Sequence, residues 1–128
     1  MSYYFSKTLS TSFDETIENV TGALKEEGFG ILTEIDVKAT LKKKLDVDFK
    51  PYRILGACNP PFAYQALQSE DKIGAMLPCN VIVIQQDTGV EVAAIDPIVS
   101  MQAVKNSALG DVAREVQNKL KKVIDSLN

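Results

Sequence analysis

Two cysteines, a proline-rich turn and one aspartate carry most of the chemistry this chain has to offer. Cys58 stands in Gly56-Ala57-Cys58-Asn59-Pro60-Pro61-Phe62-Ala63, Cys79 in Leu77-Pro78-Cys79-Asn80, and Asp96 in Ala94-Ile95-Asp96-Pro97. Cys58 precedes an Asn-Pro-Pro helix start, where free amides and the helix dipole favour an anion such as a thiolate. The plainer reading is a small cysteine packed at a tight strand–helix junction, a common setting for a free cysteine. If the strand of Cys79 neighbours that of Cys58, the thiols could approach and form a redox pair or a two-thiolate site for a soft metal such as Cu(I); the plainer reading is a structural pair that never meets. Asp96 is a base or ligand, or else a turn residue whose carboxylate binds nearby amides. Asn59 and Asn80 are caps or turn-formers that would also orient a ligand. Tyr64, on the first turns of the helix after Cys58, would line a pocket beside them. The candidate binding residues are therefore Cys58, Asn59, Tyr64, Cys79, Asn80 and Asp96, with no catalytic residue, metal ligand set or cofactor assigned.

Composition removes several classes of chemistry. The 128 residues include no histidine, so Ser-His-Asp and Cys-His nucleophile pairs and histidine zinc sites cannot be built within the chain. Two cysteines cannot complete a four-cysteine zinc site. General acid–base work is left to carboxylates alone, and a binding module is favoured over an enzyme. Fourteen Lys and Arg stand against 17 Asp and Glu, a net charge of −3. That balance argues against nucleic acid as a partner. The Lys42–Lys44 cluster reads as a solvated face. No run of apolar residues is long enough to span a membrane, and Met1–Phe13 does not read as a secretory leader, so a cytoplasmic protein with reduced thiols is expected. Length and ordinary hydrophobic content indicate one domain over residues 1–128.

The positioning elements follow from periodicity. Tyr3 to Leu9 reads as a first strand. Ser12 to Glu15 is a capping box, followed by Phe13, Ile17, Val20 and Leu24 on one helical face and Gly28 as a left-handed stop. Gly30–Ile35 is a second strand. Asp36 would cap a short helix with Val37, Leu41 and Leu45 along one side. Tyr52–Ala57 is a third strand, ending at a helix that Asn59 caps and Pro60 opens. Asn80–Ile84 is a continuous apolar run, read as a strand buried on both faces. A turn over 85–89 returns Val90–Ile95 as the other arm of a hairpin. Ile98 to Lys105 has no clear period. The last helix, about Ser107 to Leu127, carries the stripe Leu109, Val112, Val116, Leu120, Val123, Ile124 and Leu127. The expected fold is a two-layer α+β domain, with a five-stranded mainly antiparallel sheet and its two main helices on one face.

The three cysteine and aspartate motifs, in this order, resemble the signature of a widespread prokaryotic family catalogued as domain of unknown function 302, with the TT1751-like fold. The resemblance runs over essentially the whole chain. It implies a curved antiparallel sheet with two main helices on one side, similar to one repeat of the TATA-binding protein. It implies no activity and no catalytic residues.

Two expectations concern assembly and site. Two helices cover one sheet face only, while Ile82, Ile84, Ala93 and Ile95 would leave the other apolar, so a homodimer is expected. In an antiparallel order the end of strand three, the start of strand four and the end of strand five share one edge. Cys58-Asn59, Cys79-Asn80 and Asp96 would converge there as the mouth of a small-molecule pocket, with Ile98–Lys105 as a lid. A thiol-dependent redox or soft-metal role for Cys58 and Cys79 is the alternative function.

Overall fold

The first helix starts and stops where local chemistry dictates. In the computed structural model, which describes residues 2–128, the Ser12 hydroxyl accepts a hydrogen bond from the Glu15 amide at 3.2 Å and opens α1, Phe13–Glu26. Gly28, at φ +86°, ends it. The amides of Gly28 and Phe29 donate back to the carbonyls of Lys25 and Leu24, closing a Schellman turn that uses carbonyls the helix cannot satisfy itself. A side chain at Gly28 would be strained by its dihedral and would meet Asn59 Nδ2 at 3.1 Å.

Five strands form one sheet: β1 Tyr4–Leu9, β2 Gly30–Asp36, β3 Tyr52–Cys58, β4 Cys79–Gln86 and β5 Gly89–Ile95. Their order is β1-β5-β4-β3-β2, and every neighbouring pair is antiparallel. Helix α1 thus carries the chain from one edge strand to the other. Helix α5, Gly110–Ser126, lies beside it, and the two cover the same face. The α+β fold read from the sequence is the fold observed.

The covered face holds the core. Leu55, Val81, Val83, Val90 and Val92 are 0–2% exposed and meet Val20 and Leu24 of α1 and Val116, Leu120 and Val123 of α5. Burying each such side chain stabilises by roughly 1.5–3 kcal/mol. Lys7 closes the end of α5: its Nζ donates to the Leu127 carbonyl at 2.5 Å and the Asp125 carbonyl at 3.2 Å. A cation suits the negative end of a helix dipole.

Three expectations change on contact with the structure. Helix α2, Val37–Leu45, forms with Asp36 Oδ1 accepting from the Ala39 amide at 2.9 Å, yet none of its residues is buried. Val37 and Leu41 are half-buried, and Leu45 is 66% exposed. The apolar side exists, but α2 rests only against β2 and β3, and these contacts seal none of its residues. The stretch after Asp96 is ordered only at its start: Pro97–Ser100 forms one helical turn, α4, because the Asp96 carboxylate caps it, and residues 101–105 follow as turns without regular structure. Strand β4 is apolar on both sides, but helices cover only the side of Val81 and Val83. Ile82, on the other side, is half-exposed to a surface that no helix covers.

Candidate functional site

Register brings the three motifs to one end of the sheet. Gly30 pairs with Cys58 and Ala57 with Cys79. In the β4–β5 pair Val81 lies opposite Ala94, which carries Cys79 to the level of Asp96 two residues further on. The Asp96 amide also donates to the Tyr3 carbonyl at 2.8 Å, so β1 begins at this end.

Helix α3, Pro60–Ser69, leaves the end of β3 with Pro60 at its first position. It buries only Ala66. Ala66 joins Ile73 and Leu109 in a small second core with Leu77 and Met101 packed on it. Between this satellite and the main core lies a narrow slot of about 40 Å³. Cys58, Asn59 and Phe62 line one side, Pro78 and Cys79 another, and Val112 and Val116 of α5 the third. A volume of that size holds water-sized matter and is far below the ~300 Å³ of a typical metabolite pocket.

The expected site residues divide into three groups. Cys58, Asn59 and Cys79 border the slot. Asn59 does so in an unexpected role. It sits at the N-cap position of α3 but makes no side-chain cap; its Nδ2 donates instead to the Glu27 carbonyl at 3.1 Å, at the end of α1. Gly28 beside that carbonyl leaves the room for it.

Asp96 stands just behind the slot, 8% exposed. Its Oδ1 accepts from the Ile98 amide at 3.0 Å, and the Gln117 amide group donates to both oxygens at 3.1 and 3.3 Å. The carboxylate ties α4 to α5, and its lone pairs are engaged in structure. Gln117 is the partner that sequence reasoning missed, because nothing local links positions 96 and 117.

Asn80 and Tyr64 do not join the slot. Asn80 is the neighbour of Cys79 along a strand, so its side chain emerges on the opposite face. There it borders a shallow concavity of about 410 Å³ beside Tyr4, Ile82 and Ile95. Tyr64 is 65% exposed on the outer side of α3. The anticipated convergence of Asn80 with Cys79 was excluded by the period of the strand itself.

Both cysteines are free. Burial, and then the neighbouring Cys58, pushes the Cys79 thiol up to about 11. At neutral pH Cys79 is a thiol, the weaker form for nucleophilic attack or metal ligation. Among the described residues, no three Cys, Asp or Glu side chains gather in a way that would hold a metal ion. No helix of the described residues is long and apolar enough to cross a membrane.

Comparison with known proteins agrees with this architecture. No curated protein matches the chain. Among solved structures, an uncharacterized conserved protein DUF302 from Bacillus stearothermophilus is similar over 98% of both chains, at 30% identity and a TM-score of 0.91. The family model described as Domain of unknown function DUF302 matches residues 5–127, and the chain belongs to that family.

Proposed function

We propose that this protein is a non-enzymatic binding module that works as a homodimer and takes a small apolar ligand, or an apolar side chain of a partner, at the slot beside Cys58 and Cys79. One observation carries the reading. The slot lies between two hydrophobic clusters and is lined almost wholly by apolar side chains, with a wall, α3, that buries a single residue of its own. The slot of about 40 Å³ would have to widen for such a ligand, by an outward shift of α3, which is held by Asn59, Phe62 and Ala66. Cys58 and Cys79 serve as soft, apolar lining. The raised Cys79 thiol weighs against a redox or soft-metal role. Free, unbridged cysteines fit a reducing compartment such as the cytoplasm. Nucleic acid is a poor partner for the open sheet face, where Glu91 borders the concavity.

Native mass spectrometry of the gently purified protein tests the proposal. We expect a bound small molecule on the wild type, lost when Ala63→Leu fills the slot. Unliganded protein alone, with no change in melting temperature across a panel of small apolar compounds, would count against it.

A further inference from the structure

Two apolar surfaces of this chain are covered only in part, and they lie next to each other. The first is the open face of the sheet. Ile54, Ile82 and Ile95 are half-buried there, and the concavity, bordered by Ile82, Ile95 and the buried Ile84 and Ala93, is rimmed by Tyr4 and Tyr52. The second is the α2 corner. Helix α2 buries nothing, and Leu45, Val47 and Phe49 at its end are 66%, 43% and 38% exposed. The Phe49 ring lies 6.3 Å from that of Tyr52, so the corner adjoins the rim of the open face of its own chain.

We propose that in the homodimer each copy seats its α2 corner, led by Leu45, Val47 and Phe49, in the concave open face of the other. This deepens the dimer reading given above and rests on it. Placement supports it: the exposed apolar corner and the hollow face sit side by side. A two-fold axis needs such a self-complementary patch, since each copy must present both halves.

Area points to a second copy rather than a short peptide or a small ligand. Five strands at ~4.8 Å spacing and about seven residues at ~3.3 Å each give a face of roughly 550 Å² in projection. A nine-residue helix adds roughly 140 Å². The total approaches the ~800 Å² that each partner contributes to a standard stable interface. A single bound helix would leave most of the face wet.

Charge agrees. Glu91 borders the concavity and is held by Gln86 Nε2 at 3.0 Å. Lys44 of α2 lies seven positions after Val37, hence on nearly the same side of the helix, and has no ion partner among the described residues. Lys42, by contrast, is already paired with Asp46 and Asp48.

Sedimentation of the wild type, Leu45→Glu and Ile82→Glu over a wide concentration range is the test, with hydrogen exchange of the α2 amides in the wild type beside it. We expect a wild-type species of twice the 14.0 kDa chain mass. Each substitution should raise the dimer dissociation constant roughly tenfold or more. Exchange at α2 should slow as the dimer forms. A wild type that stays monomeric at every concentration overturns both this proposal and the dimer reading, and leaves the face to another protein. A dimer that dissociates with Ile82→Glu but not with Leu45→Glu keeps the dimer reading and sinks the α2 contact. A dimer indifferent to both is built on another surface. Should Ile82→Glu fail to fold, α2 exchange that does not change on dimerisation overturns the contact by itself.

Discussion

The two faces of this sheet are built from similar residues and have opposite fates. On one, Val81 and Val83 of β4 are 0% exposed beneath α1 and α5. On the other, Ile82 of the same strand is half-buried at an open concavity and Ile84 is 9% exposed with no helix over it, while α2, which touches β2 and β3, buries none of its own residues. Hydrophobicity along β4 does not distinguish the faces. What distinguishes them is whether a helix with a matching stripe is long enough and rightly placed to fold over. Helix α5 runs over 17 residues with five of them buried; α2 has nine and none.

The sharpest way to break that contrast is to truncate one leucine on each side. Leu120→Ala, at a fully buried position of α5, should cost about 2–5 kcal/mol in urea unfolding, because lost transfer energy and a residual cavity add. Leu45→Ala should change the stability of the monomer by less than ~0.5 kcal/mol. Comparable losses for the two would mean that α2 is packed within the chain after all.

The next effect is set by pH. The Cys79 thiol sits at the end of the covered face and is raised from 9.0 to about 11, by burial first and by Cys58 second. The folded protein holds this proton more tightly than the unfolded chain does. That contribution is whole below pH 9 and is lost as pH rises through about 11, a loss of roughly 2–3 kcal/mol. The useful quantity is the difference between wild type and Cys79→Ala. The variant should lose less stability across this window; parallel curves would show that Cys79 is not sealed in.

A smaller effect tests a spot where the chain closes the open face by itself. Gly56 lies there under Thr33 and Pro78. A Cβ at Gly56 would stand 2.1 Å from Thr33 Oγ1 and 2.7 Å from Pro78 Cγ. Gly56→Ala should therefore cost about 1–3 kcal/mol through overpacking. Adding Thr33→Ala should recover part of the loss, and a neutral Gly56→Ala would show that this end of the sheet is loosely held.

The sequence by itself determined what depends on neighbours a few positions away. Ser12 starts α1 and Gly28 stops it, Asp36 caps α2, the turn after Gln86 returns the hairpin, and the stripe of α5 faces inward. Each rests on dihedral preference, capping or period, which act over one or two turns of chain. The strand period also placed Asn80 opposite Cys79, although a reading that grouped the two as one motif passed over it. Only the tertiary structure decided the rest. The Asn59 side chain turned from its own helix to Glu27, 32 positions away, and Asp96 found Gln117, 21 positions away. The slot beside the cysteines exists because α3 and α5 meet there. The apolar side of α2 stayed only half covered because β2 and β3 touch it without enclosing it. Such outcomes turn on which distant groups compete for the same hydrogen bond or surface, and that competition is settled only when the elements pack.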